Sequence, residues 1–93
     1  MELRVKLFGM LRSRVERRSI QLTLADSDPT VADALARLER EHPELAGELL
    51  EDGRIVTTVT VLRNGRLVDR DAPETVPLEA GDELSLTPPI TGG

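Results

Sequence analysis

The chain contains no cysteine, which excludes disulfides, thiolate zinc sites, iron–sulfur clusters and cysteine nucleophiles together. Its only aromatic residue is Phe8, so it offers no stacking platform for single-stranded nucleic acid. The net charge of −5 argues further against nucleic acid, whose phosphates need clustered Lys and Arg. Lys6 is the single lysine among twelve basic side chains, and His42 is the single histidine. No apolar run approaches the ~20 residues of a membrane span. The opening Met1-Glu2-Leu3-Arg4 has no apolar secretory segment. These absences predict a cytoplasmic protein without a membrane partner.

What is present fits one small domain of 93 residues, 39% apolar and 31% charged, able to bury roughly 60–65% of its unfolded surface. Charge is uneven. Residues 1–24 carry six basic and two acidic side chains, a net +4, while the remainder carries six basic and fifteen acidic ones, a net −9.

Leu3-Arg4-Val5-Lys6-Leu7-Phe8 alternates apolar and charged residues, the period-two pattern of a half-buried strand. Gly9 breaks it, and the polar stretch through Arg18 reads as a loop. Ser19-Ile20-Gln21-Leu22-Thr23-Leu24 predicts a second strand with Ile20, Leu22 and Leu24 on one face, the two forming a hairpin. Asp26-Ser27-Asp28-Pro29 is turn chemistry, and Thr30-Val31-Ala32-Asp33 has the form of a capping box. Val31, Leu35 and Leu38, with Ala34 beside them, give one apolar helix stripe that Pro43 ends near Glu41. Leu45, Leu49 and Leu50 suggest a short second helical turn closed by Asp52-Gly53. The β-branched run over residues 55–62 predicts the central strand. Asn64-Gly65 supplies a type I′ turn into a return strand at Leu67-Val68. Pro73 and Pro77 mark a loop, Gly81-Asp82 a turn, and Glu83-Leu84-Ser85-Leu86-Thr87 a last strand. The order ββ, helix, ββ, β predicts an α+β fold of the ubiquitin-like β-grasp type, with one main helix across a mixed sheet of four to five strands.

The domain is expected over residues 1–87 and an extended tail over 88–93. Thr87-Pro88-Pro89-Ile90-Thr91-Gly92-Gly93 is stiffened by two prolines and tipped by two residues without side chains. Such a tip suits passage through a narrow channel, presenting a carboxylate to a reactive centre on another protein. The bland alternative is a frayed terminus.

The chain resembles the MoaD/ThiS family of sulfur carriers, especially its archaeal branch of small archaeal modifier proteins. The resemblance runs along the whole chain. It is carried by Val5-Lys6-Leu7-Phe8, Thr30-Val31-Ala32-Asp33-Ala34-Leu35, Glu41-His42-Pro43-Glu44-Leu45, Val59-Thr60-Val61-Leu62-Arg63-Asn64-Gly65 and Leu78-Glu79-Ala80-Gly81-Asp82-Glu83-Leu84. Its most diagnostic piece is Pro88-Pro89-Ile90-Thr91-Gly92-Gly93. Thr87 departs from relatives that often carry Phe before the two prolines. The resemblance implies a carrier with no catalytic residue and no metal or cofactor of its own. An activating adenylyltransferase would use ATP and Mg²⁺ to adenylate Gly93, with Gly92, Thr91 and Ile90 needed for the approach. Conversion to a thiocarboxylate would then supply sulfur to a molybdopterin synthase large subunit or another acceptor. Capture by lysines of target proteins would instead give an isopeptide bond. Lys6 is the one side chain able to accept such a bond in self-conjugates.

Docking on the exposed sheet face falls to Phe8, Val59, Val61 and Leu86, although strand parity alone does not say which of them face outward. His42 reads as a polar helix-end residue. Glu39, Glu41, Glu44, Glu48, Glu51 and Asp52 read as a solvated face rather than a divalent-ion site. Arg12, Arg14, Arg17 and Arg18 form a basic stretch, either a solvated loop or a means of steering toward an acidic partner. The alternative function is a β-grasp protein-binding module with an inert tail.

Overall fold

The structure is a computed structural model and describes residues 1–89. Strand β1 (Glu2–Leu7) leads into helix α1 (Gly9–Val15) and strand β2 (Ser19–Thr23). Helix α2 (Val31–Glu41) is followed by a 3₁₀ turn at Pro43–Leu45 and a hairpin of β3 (Leu50–Glu51) and β4 (Arg54–Ile55). Strands β5 (Thr60–Arg63) and β6 (Arg66–Leu67) come next, then a 3₁₀ turn at Pro73–Thr75 and the last strand, β7 (Glu83–Thr87). The main sheet has the order β2-β1-β7-β5-β6, with β1 and β7 parallel and the other pairs antiparallel. This is the mixed sheet expected of a β-grasp fold.

Alternation along the strands sends Leu3, Val5 and Leu7, Ile20 and Leu22, and Leu84 and Leu86 to one face, all of them buried. Val31, Ala34, Leu35 and Leu38 of α2 close over them. Each such side chain withdrawn from water contributes roughly 1.5–3 kcal/mol, which is how a short chain offsets its ordering entropy. The capping box forms as expected. Thr30 accepts from the Asp33 amide, and the Asp33 carboxylate accepts from the Thr30 amide at 2.8 Å. At Asn64-Gly65 both residues take positive φ, 49° and 84°, as a type I′ turn demands.

Three expectations are corrected. The stretch after Gly9 is not a loop, because Leu11 is buried and Val15 packs beside it against the core. These two apolar positions, four apart, anchor one face of α1. Leu49 and Leu50 are not helical. Asp52-Gly53, with φ of 52° and 78°, forms the tight turn of the β3–β4 hairpin instead. The run over residues 55–62 is not one central strand either. The chain turns at Thr57-Thr58, where the Val59 amide donates to the Val56 carbonyl at 3.3 Å. The guanidinium of Arg70 donates to the carbonyls of Ile55 and Val56, so β4 and β5 belong to different sheets and β7 takes the central place.

The entry into β7 is pinned by a buried carboxylate. Asp82 is 7% exposed and accepts from the Glu79 amide and the Arg63 Nε, both at 2.8 Å, and from the Asn64 side-chain amide at 2.9 Å. Asn64 in turn accepts from the Glu83 amide at 2.9 Å. Burial by itself pushes the Asp82 carboxyl up. The three donors and the Arg63 charge outweigh it and hold the carboxyl below its ordinary value. A depressed folded value means stability that is present above the ordinary carboxylate range and lost as pH falls through the folded value. Replacing Asp82 by Ala should cost about 1–3 kcal/mol at neutral pH, since the donors are left unsatisfied. The gap from wild type should close below about pH 4 in urea melts run across pH. A gap that persists unchanged at pH 2 would contradict this account.

Candidate functional site

The parallel pairing of β7 with β1 makes the two strands end on the same side of the sheet. The last bond of that ladder runs from the Phe8 amide to the Leu86 carbonyl at 3.1 Å. There β1 turns sharply into α1 through Gly9, at φ +61°. A Cβ on Gly9 would lie 2.9 Å from the Pro88 ring, so the ring rests directly on the glycine backbone. On the other flank Thr87 pairs with Thr60 of β5, and its hydroxyl lies 3.1 Å from the Pro88 carbonyl and 3.5 Å from that of Thr60. The chain therefore leaves the middle of the sheet clamped between the β1–α1 corner and the turn before β5.

Beside this exit lies a groove of about 480 Å³ whose apolar wall includes Phe8, Met10, Leu11, Val59, Pro88 and Pro89. Phe8 is 41% exposed and Met10 72%. Arg14 and Glu48, 3.6 Å apart, close its far rim. An exposed apolar lip around a projecting stalk offers burial to an incoming protein.

The expected docking set is divided by the structure. Phe8 stands at the exit, but Val59, Val61 and Leu86 are buried, 3% exposed or less. Their side chains belong to the core between sheet and helices, so they are corrected from docking surface to core. The open face of the sheet instead carries Leu62 paired with Leu67, the latter 70% exposed. Met10, Leu62 and Leu67 were not singled out from the sequence. Counting outward from the Asn64-Gly65 turn pairs Leu62 with Leu67 and Val61 with Val68, and that was the signal available. Lys6 also lies on the open face, 3.5 Å from Glu83. Ile90, Thr91, Gly92 and Gly93 lie outside the described residues.

His42 caps the C-terminal end of α2, its ring nitrogen 3.5 Å from Glu44. Glu39 is not merely solvated. Its carboxylate accepts from the amides of Leu49 and Leu50 at 2.9 and 3.0 Å, tying the β3 hairpin to α2. Among the described residues no cluster of three or more His, Asp or Glu is placed to hold a metal ion. No described helix is long and apolar enough to cross a membrane.

Known proteins are similar to this chain in sequence and in fold. Small archaeal modifier protein 3 of Haloferax volcanii is 44% identical over 94 residues, covering the whole of both chains. The crystal structure of SAMP1 from the same organism superimposes with a TM-score of 0.79 at 35% identity, again covering all of both chains. The fold also matches, at 22% identity and a TM-score of 0.60 over both whole chains, in the complex of subunits 1 and 2 of molybdopterin-converting factor from Helicobacter pylori. The ThiS family matches residues 5–93, from the middle of β1 through the exit strand and the diglycine. This chain, with its β-grasp core and its stalk rising from the central strand, belongs to the ThiS family of ubiquitin-like sulfur carriers and protein modifiers.

Proposed function

We propose that this protein works through Gly93, as a sulfur carrier and a protein modifier. The carrying observation is the Pro88-Pro89 stalk, seated on Gly9 at the mouth of an exposed apolar groove, in a chain that matches its family through Gly93. An activating adenylyltransferase supplies ATP and Mg²⁺. The Gly93 carboxylate attacks the α-phosphate, pyrophosphate leaves, and the acyl-adenylate forms. A persulfide on a partner then displaces AMP, and cleavage of the resulting acyl disulfide by a thiol releases the thiocarboxylate. That sulfur passes to a molybdopterin synthase large subunit or a comparable acceptor. Where a lysine amine attacks the acyl-adenylate instead, AMP leaves and an isopeptide bond remains.

This chain's own contribution is positional. Gly92 has no side chain to obstruct the approach, Thr91 and Ile90 are needed for activation, and Phe8 with Met10 lines the apolar groove that a partner covers. All of this takes place in the cytoplasm. The alternative, a binding module with an inert tail, would use the same apolar lip without chemistry at Gly93.

N-terminally tagged protein purified under denaturing conditions from its own host should contain a species in which one oxygen is exchanged for sulfur. It should also contain high-mass conjugates. Both should vanish when Gly92 and Gly93 are deleted, and intact masses unmodified in wild type and deletion alike would leave only the inert module. Lysine-linked self-conjugates should disappear in Lys6→Arg, as resolved by peptide mass mapping, because Lys6 is the only lysine. Gly9→Ala should cost about 1–2 kcal/mol for the left-handed backbone. It should also slow adenylation beyond what a stability-matched core variant does, because the added methyl displaces Pro88. Equal adenylation rates in those two variants would detach the Gly9–Pro88 contact from function.

A further inference from the structure

The basic stretch after α1 plays no part in the chemistry at Gly93, and it adjoins a free sheet edge. Strand β2 ends the sheet and pairs only with β1. In that ladder the Leu7 amide donates to the Arg18 carbonyl and the Leu24 amide to the Met1 carbonyl. Antiparallel alternation then turns the backbone groups of Ile20 and Leu22 toward β1 and those of Ser19, Gln21 and Thr23 outward. An edge of this kind is normally blunted by Lys, Pro, a bulge or an inward charge. Ser19-Ile20-Gln21-Leu22-Thr23 has none of these, its register with β1 is unbroken, and its three outward side chains are exposed and neutral.

Charge stands only at the two ends of the strand. Arg17 and Arg18 precede it, and Asp26 and Asp28 follow it, all exposed. Among the described residues none of the four joins an ion pair within its own chain. Glu16 adjoins the arginines but leaves the basic end at a net +1.

We propose that the β2 edge is a self-association surface on which a second copy of this chain pairs antiparallel, Gln21 opposite Gln21. A two-fold axis between the strands gives a closed, isologous dimer. It sets the arginine end of each copy against the aspartate end of the other, twice, and adds roughly six main-chain hydrogen bonds. A parallel arrangement would set like charges together. The contact is small and belongs to the weak, transient class. Two strands, β2 and β1, separate the axis from β7, where the chain leaves the sheet, so the exit lies away from the dimer contact. The proposal stands independently of the chemistry at Gly93.

Sedimentation velocity on the full chain, at salt near 50 mM so that screening stays weak over ~10 Å, tests it. Wild type should shift from monomer toward dimer as its concentration rises. Gln21→Pro removes an outward amide that β1 does not use, and should weaken association at least about tenfold. Arg17→Glu/Arg18→Glu and Asp26→Lys/Asp28→Lys, each checked by thermal melting, should be monomeric alone and dimerise when mixed, since the mixture restores opposite charges at both ends. A wild type that stays monomeric at millimolar concentration would overturn the proposal. So would charge-reversed chains that dimerise alone, or a mixture that stays monomeric.

Discussion

The parallel ladder between β1 and β7 is the constraint on which the position of the chain's exit from the sheet depends. In an antiparallel arrangement the end of β7 would lie beside the start of β1, far from α1. Running parallel, β7 finishes beside the β1–α1 corner, and that corner supplies what the exit uses. Gly9 lets the proline ring approach the backbone, Phe8 closes the ladder with its amide, and Met10 and Leu11 extend the apolar wall. The exit strand is also the central strand, bonded on both sides. Force applied to the stalk by a partner is therefore spread over two ladders rather than peeling an edge.

Such a small domain has little stability to spare, and the start of β7 shows how the placement is secured. Asp82 gathers donors from Glu79, Arg63 and Asn64. Asn64 bonds Glu83 through both its side chain and its backbone. One buried carboxylate thus joins the β5–β6 turn to the first residue of β7. The register of the central strand is set at one end by this network and at the other by the Thr60–Thr87 pairing. A slip of one residue would turn Leu84 and Leu86 out of the core, so the fold and the position of the stalk stand or fall together.

The parts of the fold legible in the sequence are those where local chemistry and tertiary packing agree. Period-two strands at β1, β2 and β7, the Thr30–Asp33 capping box and the Asn64-Gly65 turn each carry a mechanism that acts within a few residues. Helix α1 was hidden because arginines occupy most of its polar positions and only Leu11 and Val15 mark its buried face. The break in the β-branched run was hidden for another reason. Val56, Thr57 and Thr58 have high strand propensity, and the turn there is sustained by Arg70, which is distant in sequence. The docking residues failed on parity. Val61–Val68 and Leu62–Leu67 are both apolar cross-strand pairs, and only the pairing of β5 with β7, which sets Val61 opposite Leu86, assigns the first to the core and the second to the open face. Of the tail, the structure describes Pro88 and Pro89, and the ring of Pro88 lies against Gly9, a contact that no local pattern announces.

The sheet also keeps three exposed surfaces apart. The apolar lip around the stalk opens at the end of β1 and β7, Leu62 and Leu67 lie on the open face over β5 and β6, and β2 presents its edge beyond β1. Lys6 stands on the open face one strand from the exit, paired with Glu83. Separation of this kind follows from strand order alone. Because β7 enters between β1 and β5, the exit strand is central while both outer strands, β2 and β6, remain open to other contacts.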